Sequence, residues 1–299
     1  MSFPRVGVIG AGQLARMLAV PANNLGIPFT VFAGSESDGA NSVARYVVGD
    51  YTNSADVLAF AKNCDLITFE HELVPASVIR ELENSGVKVY PRADSFQYSQ
   101  NKIVMRKKME ELGLPNPRWE ESLDGVTTLR FPLIAKVPTG GYDGRGVFVI
   151  NDQKALSELA SAITGPLLLE EMLALESEIS VMVARSPHGQ ASTWPATLTI
   201  QRDGICVQTV TPVPGISESL AIELQQVALT IAQGINLVGV MAVELFIVNG
   251  GFIINELALR PHNSGHWSIE GSVTSQFEQH LRAILDLPLG STALTAPYA

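Results

Sequence analysis

The stretch Val240-Met241-Ala242-Val243-Glu244-Leu245-Phe246, then Phe252-Ile253-Ile254-Asn255-Glu256, then Arg260-Pro261-His262-Asn263-Ser264-Gly265-His266-Trp267, decides how this chain folds. Both apolar runs are strand-like, and Asn249-Gly250-Gly251 between them reads as a hairpin turn. Period-two alternation puts Val243, Leu245 and Ile247 on one face, with Glu244 on the other beside Ala242 and Phe246. An ionised carboxylate in an apolar setting needs a partner. Glu244 and Glu256, on paired strands, are therefore predicted to converge on one cation. Mg²⁺ suits such a pair, because it takes a few carboxylate oxygens together with water and substrate phosphates. Two solvent-facing strand glutamates are the alternative. The guanidinium, imidazole and amide donors of the following loop weigh against it, since that set recognises a planar anion.

Working outward, the 299 residues are 46% hydrophobic and 17% charged, enough for a large core and for two or more domains. A formal net charge of −10 argues against broad attraction to nucleic acid or an anionic membrane. An anionic ligand must then be held by local positive groups. Cys64 and Cys206 form neither a metal-spaced cluster nor a disulfide framework, which fits a reducing cytoplasm. The chain moves from Ser2-Phe3-Pro4-Arg5 into a strand without a signal peptide, and no apolar run is long enough to span a bilayer.

Residues 5 to about 92 alternate strand and helix signals: Val6–Ile9, Phe29–Phe32, Leu66–Phe69 and Val87–Tyr90 read as strands with helices between, the pattern of a doubly wound parallel sheet. Met105, Met109 and Leu112 recur at helical spacing within a helix predicted from Gln100 to Leu112, with Gly113 and Pro115 as its stop. Further strands are expected at 133–136, 147–150, 167–170 and between Ile179 and Val210. Leu220, Leu224, Val227 and Ile231 mark an amphipathic helix, and a last helix near 275–285 carries Phe277, Leu281 and Ile284 inward.

Four further motifs carry chemistry. Gly10-Ala11-Gly12-Gln13-Leu14-Ala15 follows a strand and opens a helix, so a phosphate can approach the helix N-terminus closely. With Glu36 or Asp38 as a ribose-binding acid it also fits a nicotinamide dinucleotide. Lys136 ends an apolar strand, where a phosphate partner explains its ammonium, and the glycine-rich loop Thr139-Gly140-Gly141-Tyr142-Asp143-Gly144-Arg145-Gly146 can close its amides over phosphates as a lid. A flexible hairpin tip with a snorkelling lysine is the alternative. Glu170 and Glu171, beside Met172 and Leu173, are candidates to line an adenine pocket, with Glu178 on the ribose hydroxyls; taken alone they read more readily as a solvated acidic turn. Thr68-Phe69-Glu70-His71-Glu72 ends a parallel strand on the side where open sheets take ligands. His188 and His280 read as structural or exposed.

In this order, over nearly the whole chain, these motifs resemble the ATP-grasp enzymes, and within them the carboxyaminoimidazole ribonucleotide synthase family. The residues that carry the resemblance are Gly-x-Gly-Gln-Leu-x-Arg-Met at 10–17, Thr-Phe-Glu-x-Glu at 68–72, Gly-Gly-Tyr-Asp-Gly-Arg-Gly at 140–146, Glu170 with Glu178 and Ser180, Asn-Glu-Leu-Ala at 255–258, and His-Asn-Ser-Gly-His-Trp at 262–267. The resemblance implies an α/β chain, α+β in part: an N-terminal Rossmann-like pre-ATP-grasp domain over 1–97, then an ATP-grasp domain over 98–290. The latter would divide into a lid of about 115–170 and a metal and anion subdomain of about 171–290, followed by a tail at 291–299.

The activity implied is ATP- and Mg²⁺-dependent carboxylation of aminoimidazole ribonucleotide by bicarbonate through carboxyphosphate, in a cytoplasmic homodimer of purine biosynthesis. Glu244 and Glu256 would hold Mg²⁺. ATP would meet Lys102, Lys136, Gly140, Gly141, Gly144, Gly146, Glu170, Glu171, Glu178 and Asn255. Arg260, His262 and Asn263 would clamp bicarbonate, while Tyr142, Asp143 and Arg145 meet the ribonucleotide together with Gly12, Gln13, Leu14, Glu70 and His266. Three positions depart from the family pattern: Pro261 follows Arg260 rather than preceding it, Pro138 stands where arginine is common, and Lys102 stands where arginine is usual. Relatives continue into a small C-terminal domain with a basic stretch, apparently absent here, so ATP binding with weak turnover is expected. The rival readings are another ATP-grasp ligase, such as the formate-dependent glycinamide ribonucleotide transformylase, and a nucleotide-binding protein with little turnover.

Overall fold

Short apolar runs separated by helices can bury both faces only as a parallel sheet, and the N-terminal third does so. In the computed structural model, which describes residues 3–140, 145–202 and 205–299, strands β1 (Val6–Ile9), β2 (Phe29–Ala33), β3 (Arg45–Val48), β4 (Leu66–Phe69) and β5 (Lys88–Val89) pair in parallel in the order β3-β2-β1-β4-β5. Helices α1 (Gln13–Asn24), α2 (Ser54–Ala61) and α3 (Ala76–Asn84) make the connections, and α4 (Ala93–Gln100) follows β5. Strand β3 escapes the sequence reading. It is an edge strand exposed at every position, so Arg45-Tyr46-Val47-Val48 carries no inward and outward alternation.

The helix predicted from Gln100 to Leu112 is cut at Asn101. That residue is extended (φ −133°, ψ 108°), and its side chain accepts the amides of Ile103 and Val104, so α5 (Lys102–Glu111) starts afresh behind an asparagine cap. Met105 and Met109 are buried as the periodicity requires.

Two antiparallel sheets follow. The smaller contains β6 (Trp119–Ser122), β7 (Leu133–Lys136), β8 (Val147–Ile150) and β9 (Leu167–Glu171) in the order β6-β9-β7-β8, and α6 (Gln153–Ala162) contributes Leu156 to its own separate core. The larger contains β10 (Ser177–Arg185), β11 (Ala191–Thr193), β12 (Thr197–Arg202), β13 (Ile205–Val210), β14 (Gly239–Val248) and β15 (Gly251–Ala258), in the order β13-β12-β10-β14-β15 with β11 beside β10. Helix α7 (Glu218–Gly234) packs on β10 through Leu224, Val227 and Ile231, while α8 (Ser268–Gly271) and α9 (Gln276–Ile284) close the chain.

Helix α9 crosses back to the N-terminal sheet. Phe277, Leu281 and Ile284 share one core with Val8, Ala15 and Leu18. His280, fully buried, bridges the same boundary: Val240 N–H donates to its Nδ1 at 3.1 Å, and its Nε2 lies 2.8 Å from Thr68 Oγ1. Burial drives its pKa down to about 3, so the ring is neutral, with the proton on Nε2. The N-terminal sheet and the larger antiparallel sheet thus stand on one continuous apolar base, and the smaller sheet stands apart from it.

The β14–β15 hairpin turns through Asn249 (φ 51°) and Gly250 (φ 71°), a positive-φ pair that matches strand twist. Glu244 pairs with Glu256, but the next pairing is Leu245 with Ile254. Asn255 is the extra residue of a β-bulge. In a regular strand neighbours face opposite sides; here the bulge lets Asn255 and Glu256 line the same cavity.

Candidate active site

Between the two antiparallel sheets and the C-terminal ends of β1 and β4 lies a cavity of about 850 Å³. From the N-terminal unit it is lined by Gln13, Leu14 and Glu70, and from α5 and the smaller sheet by Lys102, Lys136, Gly140, Arg145, Glu170 and Glu171. The larger sheet and the loop after it supply Glu178, Glu244, Asn255, Glu256, Arg260, His262 and Asn263. Gly12, Gly146 and His266 are not in the lining. Gly141, Tyr142, Asp143 and Gly144 lie outside the described residues.

The carboxylate pair is built by register. Burial, then the charges of Glu256 and Glu178, push the Glu244 carboxyl up to about 7. Glu256 Oε1 meets Lys102 Nζ at 2.5 Å. Among the described residues no three acids, histidines or cysteines gather into a closed metal cage. A crowded carboxylate pair that leaves further positions to phosphate and water fits Mg²⁺. The raised pKa also sets a pH dependence. In the metal-free protein the contribution of Glu244 to stability is fully present below its unfolded value and is lost as pH rises through about 7, where the side chain ionises beside Glu256. Mg²⁺ affinity, which needs the ionised form, is expected to rise over the same interval. Calorimetric titration with Mg²⁺ and ADP between pH 6 and 8 checks this, and a flat affinity contradicts it.

Lys136 does not wait alone for a phosphate. Its Nζ lies 2.7 Å from Glu170 Oε2 and 3.2 Å from Asn255 Oδ1, and burial lowers its pKa against the pull of Glu170. Glu170 is 3% exposed, which corrects the solvated-turn alternative. Its other oxygen accepts from Arg106 Nε at 2.6 Å. Glu171 is likewise taken, by the backbone N–H and Nε of Arg118 at 2.8 and 2.9 Å. Both carboxylates serve protein cations, while Glu170, Glu171, Met172 and Leu173 all line the cavity.

Arg106 is the functional candidate that sequence reading missed. Its side chain is buried, and besides Glu170 it donates through Nη1 to the Ile254 carbonyl at 2.6 Å and Asn116 Oδ1 at 3.2 Å, and through Nη2 to the Asn255 carbonyl at 2.9 Å. The signal was present: Arg106 lies one turn after Lys102 and next to the inward-facing Met105, where an unpartnered guanidinium would be costly.

The glycine loop also differs from expectation. Gly12 N–H and Ala15 N–H, the latter at 2.8 Å, donate to the Glu70 carboxylate, so an internal anion fills the place at the α1 N-terminus predicted for phosphate. A Cβ on Gly10 would stand 2.3 Å from Glu70 Cγ, which explains why glycine sits there. The Gly12 amide is thus engaged within the protein, while Gln13 and Leu14 face the cavity. The acids invoked for a dinucleotide ribose are engaged as well: Glu36 accepts from the Tyr46 hydroxyl at 2.7 Å and Asp38 from the Gly34 amide at 2.8 Å.

On the anion loop, Arg260 Nε donates to Glu72 Oε2 at 2.8 Å, which fixes the guanidinium plane at the cavity wall. His262 stands between the acids and this cation. Its Nε2 is 3.3 Å from Glu244 Oε1, and its Nδ1 lies 2.9 Å from Ser264 Oγ, whose hydroxyl donates to Ser180 Oγ at 2.7 Å. Burial, with the neighbouring Arg260 and His266, pushes its pKa down to about 3, so the ring is neutral. Gln276 clasps the loop through both the amide and the carbonyl of His262, at 2.8 and 2.7 Å. His266 stacks on Phe277 with ring centroids 5.8 Å apart, and its Nδ1 lies 3.3 Å from Gln276 Nε2.

Comparison with known proteins agrees with this architecture. Residues 3–100 match the ribonucleotide synthetase preATP-grasp domain, and 107–277 match the ATP-grasp domain. The N5-carboxyaminoimidazole ribonucleotide synthase of Mycobacterium leprae is 42% identical over 313 residues, covering 98% of this chain and 71% of the relative. A crystal structure of an N5-carboxyaminoimidazole ribonucleotide synthetase with ADP superposes with a TM-score of 0.92 at 32% identity, over 98% of this chain and 80% of that one. The synthase of Aspergillus clavatus, solved with ADP and 5-aminoimidazole ribonucleotide, gives 0.91 at 31% identity, over 98% and 80% of the two chains.

Proposed function

This chain belongs to the N5-carboxyaminoimidazole ribonucleotide synthases of the ATP-grasp superfamily, and from that we propose how its cavity divides the work of the reaction. The protein is an ATP-dependent ligase that carboxylates aminoimidazole ribonucleotide in purine biosynthesis. In our reading bicarbonate is the carbon source. A bicarbonate oxygen attacks the γ-phosphorus of ATP, ADP leaves, and the resulting carboxyphosphate passes its carboxyl carbon to the exocyclic amine as phosphate departs.

Lys136, Lys102 and Asn255 hold the triphosphate, with Gly140, Gly141, Gly144 and Gly146 in the loop that covers it. Glu178 takes the ribose hydroxyls. The apolar wall of Ile134, Leu173, Phe246 and Leu257 suits the adenine. Glu244 and Glu256 would hold Mg²⁺, which when bound neutralises charge on the phosphates. Arg260, neutral His262 and Asn263 orient bicarbonate, lowering the entropic barrier by placement. Tyr142, Asp143, Arg145, Gln13, Leu14 and Glu70 are assigned to the ribonucleotide. We take the N-terminal unit as 1–97, the catalytic unit as 98–290 with its lid at about 115–170, and the assembly as a cytoplasmic homodimer. No helix among the described residues is long and apolar enough to cross a membrane.

One observation supports this division most directly: His262 bridges the carboxylate pair and the cationic loop, its Nε2 3.3 Å from Glu244. That contact supports a reading in which the transferred phosphoryl group and the acceptor anion lie side by side. The test is incubation with ATP and labelled bicarbonate, with and without aminoimidazole ribonucleotide. Label is expected in an acid-labile carbamate only when the ribonucleotide is present, with ADP formed in step. ATP turnover driven instead by formate and glycinamide ribonucleotide would overturn the bicarbonate assignment.

A further inference from the structure

Arg106 is not itself part of the cavity lining, yet it bonds two residues that are, Glu170 and Asn255. It rises from α5, pairs with Glu170 on β9 of the smaller sheet, and donates to the carbonyls of Ile254 and Asn255 on β15 of the larger one. Those two carbonyls belong to the bulge that turns the Asn255 side chain into the cavity. Glu170 in turn holds Lys136 at 2.7 Å, and Asn255 Oδ1 receives the same ammonium at 3.2 Å. One guanidinium therefore governs both contacts of Lys136, one through a carboxylate and one through the backbone.

We infer that Arg106 is a positioning residue for ATP: it pins the β15 bulge and the Glu170 carboxylate so that Asn255 and Lys136 meet the triphosphate from opposite sheets. The planar fork suits this task. Three nitrogens reach a carboxylate and two carbonyls in fixed relative directions, which a lysine ammonium cannot reproduce. The group of Arg106, Lys136 and Glu170 also carries two positive charges against one negative, an imbalance that an incoming phosphate corrects. The inference rests on the reading that Lys136 and Asn255 bind the triphosphate.

Steady-state kinetics on the full chain test it. Arg106→Lys keeps the charge and loses the fork; its KM for ATP is expected to rise roughly tenfold, while KM for aminoimidazole ribonucleotide stays within about twofold. Because Arg106 acts through Asn255, the double variant Arg106→Lys/Asn255→Ala is expected to bind ATP no worse than Asn255→Ala alone. Asn116→Ala loosens the guanidinium from outside the cavity and is expected to raise KM for ATP about threefold, so the question stays open to test even if Arg106→Lys folds poorly. Native ATP affinity in both Arg106→Lys and Asn116→Ala, or multiplying effects in the double variant, would overturn the inference. If Asn255→Ala itself leaves KM for ATP unchanged, the triphosphate assignment falls instead.

Discussion

Glu256→Gln is expected to lower Mg²⁺-dependent turnover by about 10²–10³-fold while the protein unfolds at nearly its native midpoint, because one preorganised charge at the transferring phosphoryl group is removed with little change of shape. The two halves of this expectation have separate causes. Glu256 is a partly exposed residue at the cavity wall, and glutamine keeps its volume and one acceptor for Lys102. What disappears is the negative charge that, together with Glu244, makes the pair fit a divalent cation. Losing it also removes a like charge from beside Glu244, so the Glu244 carboxyl should titrate lower than about 7 in the variant. Turnover that matches the native enzyme at saturating Mg²⁺ would show that the pair is not the metal site.

Arg260→Lys should act on a different substrate. The guanidinium is oriented by Glu72 at 2.8 Å and stands beside His262. Lysine preserves the positive charge, so loss of long-range attraction cannot explain a defect. It cannot hold Glu72 and present a planar pair of donors at once. The expected result is a fall of about 10²-fold in kcat/KM for bicarbonate, with KM for ATP changed by less than about threefold. An equal loss for ATP would mean that Arg260 serves the nucleotide instead of the acceptor anion.

Much of this arrangement was written in local pattern. The alternation around Glu244 gave the correct face, because β14 is buried on its Val243, Leu245 and Ile247 side by long-range packing that strand periodicity reports faithfully. The hairpin turn was legible for the same reason, since Asn249 and Gly250 are the residue types that accept positive φ. What sequence left unread depends on partners far along the chain. Glu70 reads in sequence only as an acid at the ligand end of a parallel strand, and only the fold brings it to the amides of Gly12 and Ala15. Glu170 looked like part of a solvated turn because its cations, Arg106 and Lys136, lie 64 and 34 positions away in sequence. The bulge at Asn255 leaves no mark in hydrophobic period, since a single extra residue in a short strand looks like ordinary irregularity. Exposed β3 had no pattern to read at all.

The return of α9 to the N-terminal sheet bears on how such a protein can be recombined. Phe277, Leu281 and Ile284 complete the core around Val8, Ala15 and Leu18, and His280 ties Thr68 to Val240 across the same seam. The first hundred residues are therefore not a transplantable module, even though they match a domain model by themselves. A chimera that exchanges them between relatives must bring the matching α9 surface from the far end of the chain, or it will join two halves of a core that evolved apart.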